Sequence, residues 1–407
     1  MRMLISFAAL FLSVALLQLS SGGVGPLDAL TGLELGFSQS QVGFLGSAHF
    51  FGFFIGCWWA PRLMGSVGHS RAFATFTAMG AIGLAAHVVV ADPYFWAFFR
   101  IGSGLCVAGC YTVVEAWLQA KVTNETRGRA MGSYRMADIG ASFVAQFMIG
   151  ALANLETYIA YNILTILCCA SLLPLALTTV PQPETPKATR LRPALAWACS
   201  PLGVAAVIVA ALSSASFRMV GPIYGQEVGL TPGQIGSFLA AYVAGGALAQ
   251  YPVGWLADKF DRRWVMIWLS VAAIVACAVT VATAGNGTTS ILLASAFFGL
   301  TTFPIYSVAT AHAHDFATSE QRVELSAALM FFYAIGAIAA PYTTSALIGA
   351  YGPAALFYFI SIGHVVLVIF GLWRMRVRRA PEDRTRYVYA PRTSFSIGRL
   401  LGRSRER

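Results

Sequence analysis

Apolar runs of about 20 residues, the length of a helix that crosses the hydrocarbon core of a bilayer, recur along the whole chain. A helix meets all of its backbone hydrogen-bonding needs internally, so a chain of such runs has few alternatives to a helical membrane bundle. The ten-residue polar and apolar alternation of a membrane barrel is absent. The runs fall at about 4–26, 40–60, 71–91, 93–119, 130–152, 157–180, 198–225, 233–256, 264–284, 288–311, 323–349 and 353–373. The expected fold class is therefore an all-α membrane protein with twelve transmembrane helices. Composition agrees, with 57% of 407 residues hydrophobic and 11% charged, where a soluble domain carries about 25% charged residues. Met1-Arg2-Met3 leads straight into an apolar run with no convincing cleavage site before a soluble domain, so this run is read as the first span and not as a signal peptide.

Charge orients the bundle. With the first residue inside, 24 of the 27 Lys and Arg fall on cytoplasmic segments, and the external loops hold only acids such as Glu34, Asp92, Glu156 and Glu227. The remaining three, Arg100, Arg135 and Arg218, lie within spans. A wrong helix count would scramble this distribution. The net charge of +10 is concentrated from Arg374 onward, where 11 of the basic residues lie. It points to a membrane surface, and no nucleic-acid motif accompanies it. The expected localisation is the bacterial inner membrane, with both termini cytoplasmic. The seven cysteines sit in or beside apolar runs, apart from the histidines, so they read as packing residues and no metal is expected.

The Pro-rich segment 181–197 divides the chain into an N-terminal six-helix bundle (1–180) and a C-terminal one (198–373), followed by a basic tail (374–407). The tail is expected to be disordered on anionic lipid. The halves repeat. Gly25-Pro26 ends the first span and Gly221-Pro222 the seventh. Glu34-Leu35-Gly36-Phe37-Ser38-x-x-Gln41-Val42-Gly43 returns as Glu227-Val228-Gly229-Leu230-Thr231-x-x-Gln234-Ile235-Gly236, at an offset of 193. Gly104-Leu105 and Tyr111 return at an offset of 195 as Gly299-Leu300 and Tyr306. Internal repeats of this kind place a transporter's site between two rocking halves.

The decapeptide from Gly254 to Arg263 is a charged turn between two apolar runs. Asp258 is expected to cap the next helix or pair with a nearby Arg, and Lys259, Arg262 and Arg263 to hold the turn inside. The turn resembles the signature loop of the major facilitator superfamily, Gly-x-x-x-Asp-Arg/Lys-x-Gly-Arg-Arg/Lys. Gly254, Asp258, Lys259, Arg262 and Arg263 match, and Asp261 replaces a Gly. The repeat offset carries Gly68 onto Asp261, so the 61–71 turn is a degenerate copy, with Gly65 where the Asp would stand. The resemblance covers about 4–373 and is to the sugar-permease-like and drug-efflux-like branches. It implies two six-helix bundles, alternating access, and a substrate between the halves on a cavity lined by the first and seventh helices. Arg100 and Gly104 are similar to a family motif linked to proton coupling. The antiporter motif Gly-x-x-x-Gly-Pro is absent from the fifth span, with only Gly336-x-x-x-x-Pro341 in the eleventh, which weakens a drug/proton antiport reading.

Ionisable groups at membrane depth are costly and mark candidate sites. Arg100, Gly104, Val107, Tyr111 and Glu115 share one helical stripe, and Arg135, Asp138, Ser142 and Gln146 another. Glu115 and Arg135 lie at similar depth, as a structural pair or an inner gate. Arg218 precedes the Gly221-Pro222 break and is the candidate for an anionic or hydroxylated substrate, or an outer-gate partner for Asp28 or Glu227. Asp28 is a proton site or a loop acid. His312 is a further proton candidate near His314 and Asp315, or a plain helix-end residue. His49, His87 and His364 stand alone and read as packing or interfacial. Gln18, Tyr242, Gln250, Tyr251, Tyr306 and Tyr333 are neutral hydrogen-bonding candidates that suit polyhydroxylated or amphipathic solutes.

No Gly-x-x-x-x-Gly-Lys-Ser/Thr loop is present, so an ion gradient, with protons favoured, is the expected energy source and no cofactor is needed. The expected function is secondary active transport of a small solute by a monomer, with multidrug-type efflux as the alternative. A membrane-embedded lipid-modifying enzyme has only His312-x-His314-Asp315 as a catalytic cluster, and the repeat and the signature loop oppose it. A transporter-like sensor lacks a signalling domain.

Overall fold

The computed structural model describes residues 2–122, 126–177 and 190–377, and, beyond the last helix, 385, 387, 388, 390 and 392–394. Twelve helical rods follow one another: α1 (Arg2–Glu34), α2 (Gln39–Val67), α3 (His69–Ala86), α4 (Pro93–Lys121), α5 (Arg127–Leu152), α6 (Thr157–Ala176), α7 (Pro201–Glu227), α8 (Pro232–Lys259), α9 (Arg262–Ala282), α10 (Thr288–His314), α11 (Arg322–Tyr351) and α12 (Ala355–Val377). A short helix, Pro193–Cys199, precedes α7. Proline punctuates the rods. Pro201 sits at the start of α7, where its missing N–H costs nothing, behind the cap Ser200. Pro174 and Pro304 fall where α6 and α10 are interrupted.

Among the described residues, nine rods are long and apolar enough to cross a membrane on that count alone. Of the twelve expected spans, α3, α5 and α8 form rods at the expected places but fall short of that apolar count. In α5 the apolar character is diluted by Arg135, Ser142 and Gln146, which are buried, while Met136, Val144 and Phe147 lie on the exposed side. Leu12, Phe51, Ile82, Leu248, Trp268, Leu293, Ile362 and Ile369 continue this exposed apolar coat. Only lipid suits so large an apolar exterior.

The repeat has a structural meaning at three places. Ser38 with Gln41 and Thr231 with Gln234 each form a reciprocal capping box at the start of α2 and α8. Gly36 (φ 86°) and Gly229 (φ 82°) supply the left-handed step before each box. A side chain at Gly104 would overlap the His49 carbonyl, and one at Gly299 the Tyr242 carbonyl, so α4 crosses α2 as α10 crosses α8. Packing follows suit: α1 lies on α5 and α6 as α7 lies on α11 and α12, and α3 on α4 and α6 as α9 on α10 and α12.

The halves meet through α2 and α11, α5 and α8, and α1 and α7. We call the end that carries the α2–α3 and α8–α9 turns the terminal end, and the opposite one the distal end. At the distal end glycine brings backbones together. A Cβ on Gly150 would come within 2.6 Å of Gly233 Cα, and one on Gly46 within 2.9 Å of Met219 and Pro341. The segment 181–197 lies outside the described residues up to 189, and Arg192 at its end pairs with Glu324 at 3.1 Å.

Candidate functional site

Between the halves lies a cavity of about 140 Å³. The first half contributes Gln18, His49, Tyr111, Arg135 and Asp138, and the second Ser214, Arg218, Tyr242, Phe303 and Tyr333. Tyr111, Arg135 and Asp138 arrive there because the stripes on α4 and α5 turn inward. Tyr111 O–H reaches Gln18 Oε1 at 2.8 Å and also Asp138, while Arg135 Nη1 pairs with Asp138 Oδ2 at 3.2 Å. Arg218 is half-buried on the opposite wall and makes no ion pair among the described residues. Arg392 and Thr393 close the cavity from the terminal end. Three guanidinium groups against one carboxylate favour an anion within this space.

A second polar cluster lies inside the first half. Asp28 Oδ2 is 3.2 Å from Arg100 Nε and 3.8 Å from His87 Nε2, and Tyr161 O–H donates to Asp28 Oδ1 at 2.6 Å. Asp28, His87 and Arg100 are nearly or fully out of solvent. Asp28 Oδ2, Arg100 Nε and His87 Nε2 all lack an aligned hydrogen bond, so the Asp28–Arg100 contact is one of charge proximity alone. Gly83 O lies 2.6 Å from His87 Nδ1 and accepts its proton, which leaves Nε2 of the neutral ring as a free acceptor facing Asp28. Arg100 Nη2 lies 4.0 Å from Met219 Sδ on α7, so the cluster touches the seam with the second half.

Several sequence-based pairings are corrected. The partner of Asp28 is Arg100 and not Arg218, because this part of α1 turns into its own bundle, toward α4 and α6. His87, read as isolated, belongs to this cluster. Glu115 accepts from Tyr134 at 3.0 Å and from Thr393 and Ser394, while Arg135 pairs with Asp138. No direct Glu115–Arg135 ion pair forms among the described residues; the two share Tyr134, whose hydroxyl donates to Glu115 and whose ring centre lies 4.7 Å from the Arg135 guanidinium. Gln250 and Tyr306 lie off the cavity wall. Gln250 accepts from Tyr387 O–H at 3.2 Å, and Tyr306 packs edge-on against Tyr333 at 5.3 Å. Tyr251 is exposed on the outside of α8. His312 packs on Phe316 and borders a minor pocket with Arg263 and Arg374, away from the cavity. The tail was expected to lie on lipid, yet its described residues are seated on the helices; the rest of it lies outside the described residues.

In the signature loop Arg262 is fully buried. It pairs with Asp315 at 2.7 Å and with Asp258 at 3.3 Å. The cap of α9 is Asp261 and not Asp258: it accepts from Arg263 N–H at 3.0 Å and pairs with the Arg263 side chain at 2.6 Å. Lys259 lies over Trp255, 4.8 Å from the ring centre. Sequence reasoning missed Tyr161, Arg392, Thr393 and Ser394. For Tyr161 the signal was depth, since it lies in the first turns of α6 on the side where α1 carries Asp28. For the others it was the aromatic stretch from Tyr387 inside an otherwise basic tail.

The sequence model described as Major Facilitator Superfamily matches residues 10–200 and 203–405. The MFS-type transporter YcaD of Escherichia fergusonii is 28% identical over 335 residues, 81% of this chain and 85% of that protein. The MFS-type transporter Ent638_1421 of Enterobacter sp. (strain 638) is 28% identical over 356 residues, 86% of this chain and 89% of that protein. Among solved structures, the nucleoside transporter NupG superposes with a TM-score of 0.70 at 14% identity, covering 91% of this chain and 98% of its own. The inward-facing, occupied form of a bacterial homolog of the human lysosomal transporter Spinster gives 0.71 at 18%, covering 95% and 98%. A D-xylose-proton symporter gives 0.69 at 13%, covering 94% and 99%. At these identities the structural likeness concerns the fold.

Proposed function

The chain belongs to the major facilitator superfamily, as a multi-pass membrane transporter and not an enzyme, and from that premise we propose that it carries a small anionic solute by proton-coupled alternating access. The single observation behind the substrate class is Arg218, a permanent charge on the cavity wall with no ion-pair partner among the described residues. A half-buried cation without a counter-charge is incompletely solvated, and a bound carboxylate or phosphate supplies the missing charge. Gln18, Tyr242 and Tyr333 add hydrogen-bonding groups around it. A cationic drug finds no free carboxylate here, because Asp138 is engaged by Arg135 and Tyr111. This weighs against multidrug-type efflux.

The coupling site in this reading is Asp28 with Arg100, His87 and Tyr161. Asp28 Oδ2 and His87 Nε2 both present a lone pair with no aligned donor, so an incoming proton finds an acceptor there. Protonating Asp28 removes the charge that holds Arg100 beside Met219, and so loosens the contact between the halves. The xylose symporter neighbour is itself named as proton-driven. In the same reading the terminal end, which carries nearly all basic loop residues, faces the cytoplasm of a bacterial inner membrane. The transporter rocks as a monomer about the glycine-packed distal seam. Proton coupling is tested separately, by flux in proteoliposomes with and without a pH gradient. The substrate test is a thermal-shift screen of purified protein with organic acids, phosphate esters, sugars, amino acids and cationic drugs. The expected result is stabilisation by anions only, lost in Arg218→Ala. Stabilisation by neutral or cationic compounds that survives Arg218→Ala overturns the assignment.

A further inference from the structure

We propose that the described residues between Thr385 and Ser394 act as a built-in inhibitor, a strap that closes the cavity at the terminal end and wedges the two halves in the present state. The described residues of the strap make a set of contacts with both halves. Thr385 N–H donates to Asp315 Oδ1 at 2.7 Å, and the Thr385 carbonyl accepts from Arg262. Tyr387 N–H donates to Asp258 Oδ1 at 2.6 Å, and its ring covers Gly254, where a Cβ would come within 2.8 Å of the ring. Ala390 N–H donates to Ser307 Oγ at 3.2 Å. Arg392 Nη2 donates to the Phe303 carbonyl at 2.8 Å, and its guanidinium lies 4.9 to 5.5 Å from the ring centres of Phe303, Tyr306 and Tyr333. Up to this point the partners named all belong to the second half. Thr393 and Ser394 then cross to the first half and donate to the two oxygens of Glu115.

Three features make this an inhibitory contact. The strap takes the signature-loop residues Gly254, Asp258 and Arg262, whose turn has to move when the halves rock. It also occupies both carboxylate oxygens of Glu115, so a closer gate pair between α4 and α5 must compete with these hydroxyls. Finally, Arg392 and Thr393 are part of the cavity wall, and the space left is about 140 Å³, below the ~300–1,000 Å³ of ordinary small-molecule sites. Closing the terminal ends on each other, which alternating access demands for the opposite-facing state, requires the strap to withdraw. The proposal rests on the transporter fold and is independent of the substrate class.

The test uses the full-length chain and a cavity reporter, Ser142→Cys, in vesicles of either orientation, with a membrane-impermeant cationic methanethiosulfonate as probe. The chain without the reporter sets the background from native cysteines. Full-length protein is expected to label slowly from both faces, because glycine packing closes the distal end and the strap closes the terminal end. Ending the chain at Arg384 is expected to raise the labelling rate about tenfold or more from both faces. If the shortened chain fails to fold, Arg392→Ala and Glu115→Gln in the full-length chain give the reading, with an increase of about threefold. Equal labelling with and without the strap overturns the proposal. So does failure of the double variant Glu115→Cys, Thr393→Cys to form a disulfide under mild oxidation, since the strap would then not be docked.

Discussion

The two halves share one packing scheme and differ in what they bury. In the first half, Asp28 and Arg100 form the buried ion pair described above. The 193 offset of the adjoining turn carries Asp28 onto Gly221, and the 195 offset carries Arg100 onto Ser295, both in the second half. There Ser295 Oγ donates to the Phe238 carbonyl at 2.6 Å. The surrounding space is an aromatic stack in which Phe217 lies 4.5 Å from Tyr242, 4.9 Å from Phe238 and 5.0 Å from Phe298. At the terminal end the asymmetry reverses. The second half has the Asp258–Arg262–Asp315 network, and the first has Gly68 (φ 85°) followed by His69, which packs against Trp117. A duplicated backbone therefore does not duplicate its chemistry. Buried ion pairs are costly to desolvate, which disfavours keeping one in each half.

The largest expected effect breaks the charged core of the first half. Asp28→Asn leaves Arg100 buried without its counter-charge, a loss of about 3–5 kcal/mol. The expected outcome in proteoliposomes is abolished uphill flux driven by a pH gradient, with anion binding retained. The double variant Asp28→Asn, Arg100→Gln should recover much of the melting temperature but none of the coupling. Coupling that survives Asp28→Asn would move the proton site elsewhere.

The matched experiment in the second half is Phe217→Ala. Emptying the centre of the aromatic stack should cost about 3–5 kcal/mol of stability, read as a lower melting temperature in detergent, and leave the dependence on the pH gradient unchanged. Gly104→Ala and Gly299→Ala probe what the halves have in common. Each puts a methyl group into the facing backbone, and both should destabilise to a similar extent, by about 1–3 kcal/mol. Unequal losses would show that the two crossings are not equivalent under load.

The smallest effects lie in the switch loop. Asp258 is half-exposed, so Asp258→Asn should cost at most about 1 kcal/mol yet slow flux more than it weakens binding; equal loss of both would remove its switching role. Asp261 is also at the surface. Burial on its own raises its carboxyl pKa, but the hydrogen bonds and charge of Arg263 outweigh this and hold it below the usual value. Its stabilising contribution is therefore full above the ordinary carboxylate range and is lost as pH falls through the lowered value. Asp261→Asn should flatten the acid side of the stability profile slightly, with no counterpart at Gly68.

What was legible in the sequence is what one helix and its neighbouring turns decide. The apolar runs set the rods, because backbone desolvation acts on each segment by itself. Gly36 with Ser38 and Gln41, and Gly229 with Thr231 and Gln234, set the turns, because a cap and a left-handed step involve a few adjacent residues. The stripe through Tyr111 and the one through Arg135 and Asp138 followed from helical period alone. Partner choice did not. Asp28 meets Arg100, His87 and Tyr161 across three other helices, and the choice of Arg100 over Arg218 depends on how α1 is rotated in its bundle, a matter of packing that no local pattern encodes. Glu115 is met by Thr393 and Ser394, 278 and 279 residues away. A polar contact is decided within about 3 Å, whereas periodicity places a side chain only on a face, so the pairs that link distant segments were settled by the tertiary structure.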